Sequence, residues 1–296
     1  MKTPTFIKMT TKNLDTLIPD IYALFDVEHS VDEENLKTFA DNVAAAVKGR
    51  LETVQSWDRP TLRVSKLGTP DRKLWYELHD QNEPLENDSF KLSPENVMKF
   101  MYGDIIEELV LLLVKESGHT VEGEQGEVEI EGVIGHRDCI IDGITVDVKS
   151  TSKFAFQKFE KGTLHQDDPF GYIAQISSYC FADESPYGAF LAMNKETGQL
   201  ALLKVHKIDM IHPPTRIKEV RQFLEKDEPP EAKCYEPVPM GKKGNMELAR
   251  GCGWCPFKEK CWENANGGVG LRKFQYSNGV KYLTEVVDEP RVEELT

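Results

Sequence analysis

The stretch Gly135-His136-Arg137-Asp138, the dipeptide Asp142-Gly143 and the triplet Asp147-Val148-Lys149 constrain this chain more tightly than any other part of it. Asp-Gly between apolar runs signals a two-residue hairpin, which pairs Ile141 with Ile144. Counting back along both strands sets Asp138 opposite Asp147. Side chains alternate across a strand, so Lys149 shares that face, while Cys139, Ile141, Val146 and Val148 point to the other and read as core. Two carboxylates and an ammonium then meet on one surface. Like charges placed across a ladder destabilise it, so the pairing calls for a compensating cation, and a hard divalent metal with oxygen ligands would supply one. Taken alone, an Asp-x-Lys triplet also reads as an exposed strand face with an ordinary salt bridge.

The 296 residues are enough for one sizeable domain with additions or for two small ones, and 40% hydrophobic content fits a packed core. The longest apolar run, 109–114, is too short to span a bilayer. The N-terminus lacks the basic-then-apolar layout of a signal peptide, so a cytoplasmic location without a membrane partner is expected. In that setting the six cysteines are expected to be ligands or buried thiols rather than disulfides. A net charge of −14 gives no global attraction for nucleic acid, so binding there requires a local basic path and metal ions.

Apolar spacing predicts helices over 13–25 and 33–51, and a segment 62–78 that turns helical after Pro70. A polar loop is expected over 82–91. A helix capped by Ser93 should run to about Ser117 and stop at Gly118. Being apolar almost all round, it should be largely buried. A strand meander is expected from 128 to 150, continuing towards Phe156. Then come a helix over 171–181, a strand pair over 187–194 and 199–205, and a helix over 213–226. This order predicts an α/β sandwich rather than a doubly wound dinucleotide fold. No glycine-rich phosphate loop and no internal repeat are present. The expected organisation is an N-terminal helical region (1–58), a core (59–231), a cysteine segment (232–275) and an acidic tail (276–296), whose last stretch, 284–296, is expected to be disordered.

On a helical wheel Glu107 lies among Phe100, Leu111 and Val114, an expensive place for a carboxylate unless something pairs with it. A metal shared with Asp138 and Asp147 would do so. Glu108 reads equally well as part of a solvent stripe with Asp104 and Lys115. Gln175 and Tyr179 lie one turn apart on one helix face. Taken in order, Gly103-x-x-x-Glu107, Gly135-x-x-Asp138, Asp147-x-Lys149 and Gln175-x-x-x-Tyr179 resemble the PD-(D/E)XK nuclease superfamily in its RecB-like branch. That branch includes phage recombination exonucleases, CRISPR-associated RecB-like nucleases and the AddB nuclease domain. The resemblance covers about 62–262.

It implies a restriction-endonuclease-like α/β core, a mixed central sheet flanked by helices. It also implies a metal-dependent deoxyribonuclease, an exonuclease acting on linear DNA ends in recombination, repair or replication, in a phage or bacterial setting and with a recombination or replication partner. By the same resemblance, Glu107, Asp138 and Asp147 would hold Mg²⁺ or Mn²⁺ with the Val148 carbonyl. Lys149 would orient the attacking water and stabilise phosphate charge, and Gln175 and Tyr179 would brace the lysine and the DNA backbone. Arg72, Lys153, Lys158 and Lys161 are the candidate DNA-binding cations, with Phe154, Phe156 and Phe159 interleaved for base stacking; the lysines also read as a solvated face over buried phenylalanines. The competing class is a non-hydrolytic DNA-binding or adaptor module.

Cys252-x2-Cys255-x5-Cys261 suits an iron–sulfur cluster or zinc. It resembles the C-terminal cysteine segment of iron–sulfur members of that branch, whose fourth ligand precedes the core. Pro70 stands here where that cysteine is expected. Cys234 is the replacement, giving Cys-x17-Cys-x2-Cys-x5-Cys, with a [4Fe–4S] cluster and structural zinc both open. Cys139 and Cys180 read as buried thiols. His119, His136, His165, His206 and His212 show no tight pairing in sequence, and His136 reads as an exposed imidazole.

Overall fold

A computed structural model describes residues 12–52, 61–79 and 93–295; the loop expected over 82–91 lies outside the described residues. In chain order the helices longer than one turn are α1 (Leu17–Ala23), α2 (Glu33–Glu52), α3 (Asp71–His79), α4 (Pro94–Glu116), α5 (Lys153–Glu160), α6 (Tyr172–Ala182) and α7 (Pro213–Leu224). The strands are β1 (Val121–Glu122), β2 (Glu127–Ile130), β3 (Val133–His136), β4 (Cys139–Ile141), β5 (Ile144–Thr151), β6 (Tyr187–Asn194) and β7 (Leu200–His206). Short strands β8 (Val238–Pro239), β9 (Met246–Glu247), β10 (Arg272–Tyr276), β11 (Gly279–Glu285) and β12 (Glu294–Leu295) follow. Two compact units result, one from residues 1–58, 62–68 and 91–217, the other from 59–61, 69–90 and 218–296. Among the described residues no helix is long and apolar enough to cross a membrane.

The first unit is built on a five-stranded mixed sheet in the order β1-β4-β5-β6-β7. β5 and β6 are parallel and the other neighbours antiparallel, so the chain must cross over between β5 and β6, and α5 and α6 make that crossover. One face of the sheet packs Cys139, Ile141, Val146 and Val148 against Leu17 and Ile21 of α1 and Val110, Leu111 and Val114 of α4. The other packs Phe190 and Ala192 against Phe156, Phe159 and Ile176. Helices on both faces of a mixed sheet are the α/β arrangement expected from the element order.

The β4–β5 hairpin has the counted register, Ile141 with Ile144 and Cys139 with Val146. Asp142 and Gly143 have φ of +49° and +78°, as a type I′ turn requires. The expected continuous meander is instead two hairpins. β2 and β3 form a separate two-stranded sheet around Glu131-Gly132, whose φ values are +48° and +75°. The chain leaves one sheet and enters the other at Arg137-Asp138. The meander also does not run on to Phe156. Ser152 caps α5 by accepting from the Ala155 N–H, and Phe156 and Phe159, three residues apart, bury on one helix face.

Ser93 caps α4 by accepting from the Asn96 N–H, and Gly118 follows its end at φ +82°. Only the C-terminal half of α4 is core. Met98, Phe100 and Tyr102 are exposed, so hydrophobicity all round did not mean burial all round; Phe100 lies under the Arg50 guanidinium of α2 at 5.4 Å. His119, read as unpaired, is fully buried between Asp142 Oδ2 at 2.6 Å and Asp20 Oδ2 at 3.1 Å, tying α1 to the hairpin turn. His136 is exposed, 3.7 Å from Glu127.

The second unit contains an antiparallel sheet in the order β12-β10-β11-β9-β8, which the Pro- and Lys-rich composition did not suggest. Phe274 and Leu283 are its buried hydrophobic residues on β10 and β11. The stretch expected to be a disordered tail contributes β12, paired with β10. Arg272 accounts for this by pairing with both Glu289 and Glu294, at 2.5 and 2.6 Å, which offsets the repulsion within the acidic stretch.

Candidate active site

β4 reaches back only to Cys139, so its ladder with β5 ends at Val146. Asp138, the next residue back, turns its Oδ2 to the edge of β5 and accepts the Val148 N–H at 2.8 Å. Alternation puts Asp147 and Lys149 on the face of Phe190 and Ala192, their parallel partners on β6. Lys149 Nζ ion-pairs with Asp147 Oδ2 and lies 4.8 Å from the centroid of the Tyr172 ring. Neither oxygen of the fully buried Asp147 carboxylate accepts an aligned hydrogen bond among the described residues.

Glu107 comes to this site from the middle of α4. Burial, then the Asp147 charge, pushes its carboxyl up to about 7. Burial and the charges of Asp147 and Glu107 hold Asp138 well above the usual carboxylate range, and burial raises Asp147. Lys149 is held above its ordinary value against the effect of burial, chiefly by Asp147 and Asp138. The buried Asp147 and the half-buried Asp138 and Glu107 thus lie near enough for their charges to act on one another with a single ammonium among them, an excess of negative charge that a low-dielectric site tolerates only by protonation or with a further cation. Glu108, which lines one cavity with Glu107 and Gln125, accepts from Asn42 Nδ2 of α2 at 2.9 Å.

Gln125, which sequence reasoning passed over, joins two of the acidic segments. Its side-chain amide donates to Glu107 Oε1 at 2.6 Å, and its backbone N–H donates to the Asp138 carbonyl at 2.9 Å. The available signal was its place between Gly123 and Gly126, two glycines against which the Arg137 guanidinium packs so closely that a Cβ at either would lie under 3 Å from it.

On α6, Gln175 Nε2 donates to the Tyr179 hydroxyl at 3.1 Å. Tyr179 is buried with Val64, Leu67 and Val128, and burial pushes its phenol up to about 12, with Asp147 and Asp138 near enough to add to the shift. The motif glycine Gly135 is sterically required: a Cβ there would lie 2.5 Å from Val64 Cβ and 3.2 Å from Tyr179 Cε1. The glycine of Gly103-x-x-x-Glu107 is not, since a Cβ there would meet nothing within 4 Å.

Of the candidate DNA-binding cations, Lys153 and Lys161 are exposed at the two ends of α5. Lys158 pairs with Asp167 Oδ2 at 2.5 Å. Phe156 and Phe159 are core, which removes them as base-stacking groups, while Phe154 is exposed. Arg72 lies in the second unit, where it donates to Cys261 Sγ at 3.2 Å and to the Pro230 carbonyl at 2.6 Å.

Cys234, Cys252, Cys255 and Cys261 line one cavity of the second unit together with Arg72, Lys73 and Tyr76 of α3. Burial raises the thiols of Cys234 and Cys255 and pushes Cys252 up to about 11. Their soft sulfur donors suit zinc or an iron–sulfur cluster, and the hard oxygens of Glu107, Asp138 and Asp147 suit Mg²⁺ or Mn²⁺. Among the described residues, however, no three His, Cys, Asp or Glu side chains are already gathered around a metal position. Cys139 and Cys180 are buried in the two cores that flank the main sheet.

No family model matches the chain, and no curated protein matches its sequence. Among solved structures, the crystal structure of SSO0001 aligns over 74% of this chain and 93% of its own, with 15% identity and a TM-score of 0.39. An alkaline exonuclease, LHK-Exo from Laribacter hongkongensis, aligns over 54% of this chain and 91% of its own, with 13% identity and a TM-score of 0.29. At scores this low neither carries an argument about what this chain does, and no family assignment follows from them.

Proposed function

We propose that the chain is a metal-dependent deoxyribonuclease of the PD-(D/E)XK type, an exonuclease hydrolysing phosphodiester bonds from linear DNA ends. The observation that carries this reading is the pairing of Lys149 with the buried Asp147 next to Asp138, at the point where β4 leaves β5, with Glu107 near enough to feel the charges of Asp147 and Lys149. Mg²⁺ or Mn²⁺ held by the three carboxylates and the Val148 carbonyl would polarise a phosphoryl oxygen and lower the pKa of a bound water. Asp147 fits that task because its oxygens are buried without aligned hydrogen bonds. Glu107 is presented by the Gln125 amide, and Asp138 is fixed by the Val148 N–H. Lys149 places a permanent cation where negative charge builds on the phosphate; Tyr172 lies beside it, and Gln175 and Tyr179 are joined by a hydrogen bond on α6. Recombination, repair or replication is the setting in which trimming of DNA ends is used, with DNA as the partner.

In this reading Cys234, Cys252, Cys255 and Cys261 bind a structural [4Fe–4S] cluster or zinc. Neither is needed for phosphodiester hydrolysis; its role is to hold the C-terminal segment folded. The second reading, a non-hydrolytic DNA-binding module, is favoured by one observation: among the described residues no three acidic side chains are already gathered as ligands. Cleavage of linear DNA in Mg²⁺ or Mn²⁺ by the wild type and by Asp147→Asn separates the two. The nuclease reading requires activity that the variant loses, and a folded, inactive wild type that binds DNA would replace it with the second reading.

A further inference from the structure

Beside the carboxylates lies an aromatic stack whose outer ring the proposed chemistry does not use. Phe170 is 68% exposed, and its ring stacks on Tyr172 at 5.4 Å and 26°. The other ring contacts of Tyr172 run inward, to Phe159 at 6.3 Å, to Phe190 at 6.1 Å and to Lys149 Nζ at 4.8 Å. Phe170 is therefore the solvent end of a short stack whose inner end touches the lysine of the site.

The turn that carries Phe170 is tightly specified. The Asp168 carboxylate accepts the N–H groups of Tyr172 and Ile173 at 3.0 and 2.8 Å. Lys158 Nζ holds the Asp167 carbonyl at 2.8 Å. Gly171, at φ +74°, touches the backbone of Gly68 so closely that a Cβ would lie 2.5 Å from its Cα. Exposed single hydrophobes are common and need no explanation. An exposed aromatic fixed by its turn, stacked on one side and open on the other, within two ring contacts of the lysine, offers a flat apolar face at a set place.

We propose that Phe170 is the stacking platform for an unpaired base of the DNA strand being cut. A strand whose phosphate lies at Lys149 carries its bases within a nucleotide of that position. Aromatic–base stacking is tolerant of sequence, and it requires a base face that is not covered by a duplex neighbour. The strand enters the site single-stranded or with its end frayed. The inference rests on the nuclease reading for the identity of the site, and its test is independent of cleavage.

The test uses single-stranded oligonucleotides carrying 2-aminopurine at successive positions, bound to the full chain in EDTA, with the wild type, Phe170→Ala and Phe170→Trp. Stacking predicts quenching at one position in the wild type, its loss in Phe170→Ala and its return in Phe170→Trp. It also predicts affinity roughly 5- to 100-fold weaker in Phe170→Ala. An abasic residue at the quenched position should weaken wild-type binding by a similar factor and leave Phe170→Ala unaffected. Binding and quenching indifferent to Phe170, or equal abasic losses in both proteins, would overturn the inference even if the wild type cuts DNA. Phe170-dependent quenching by a protein that cuts nothing would keep the stacking site and remove the nuclease.

Discussion

The side-chain amide of Gln125 donates to Glu107 Oε1 at 2.6 Å, and because the same residue's N–H is bonded to the Asp138 carbonyl, a single loop residue sets the spacing between two acidic segments. Groups that orient metal ligands typically cost 10- to 100-fold in metal affinity or activity when removed. Gln125 has φ +51°, so glycine is the replacement that removes the amide without straining the backbone. Gln125→Gly should weaken Mn²⁺ binding, followed by electron paramagnetic resonance, by about 10-fold or more. Unchanged Mn²⁺ affinity would remove Gln125 from the site's machinery.

The raised carboxyl of Glu107 makes a prediction about pH. Its folded value of about 7 lies above the ordinary 4.5, so between those values the folded state binds a proton that the unfolded state has released. Stability without metal therefore falls as pH rises through that window, and Asp138 and Asp147, also raised, act in the same direction. Thermal melts in EDTA from pH 4.5 to 8 should show a decline that is shallower in Glu107→Gln than in the wild type. An identical slope in both proteins would contradict the burial of a shared negative charge.

Two glycines of the sequence motifs should respond oppositely to alanine. Gly135→Ala forces a methyl against Val64 and Tyr179 and should destabilise by about 1–3 kcal/mol in urea denaturation. Gly103→Ala lies in mid-helix with open space around it and should stabilise by about 0.5–1 kcal/mol. Destabilisation by both would mean that Gly103 is held by a contact not present in this fold.

The cysteine cavity should retain metal through purification without oxygen. Elemental analysis is expected to find iron with visible absorbance, or zinc without it, and Cys255→Ser should lose metal and melt at a lower temperature. A fully folded metal-free protein with four titratable thiols would leave the cavity as packing alone.

How much of this was legible in sequence depended on whether a local rule fixed the answer. Asp142-Gly143 determines the hairpin register, so the core-facing placement of Val146 and Val148 followed by counting. Ser93 and Gly118 bounded α4 in the same way. What failed was anything set by a distant contact. Arg137-Asp138 looks like strand continuation, yet it is where β3 and β4 enter different sheets. The apolar composition of α4 predicts burial along its length, yet Met98, Phe100 and Tyr102 are exposed. Gln125 carries no motif, and its role appears only once the Gly123–Gly126 loop lies beside α4. The order of the acidic C-terminus depends on Arg272, whose partners are 17 and 22 residues away.

The most direct test of the central claim is cleavage of end-labelled linear single- and double-stranded DNA, beside circular DNA, in Mg²⁺ or Mn²⁺ by the wild type and Lys149→Ala. Degradation of linear DNA by the wild type alone is the predicted result. Failure of folded, metal-replete wild type to cut, or equal cutting by Lys149→Ala, would contradict the assignment of this site.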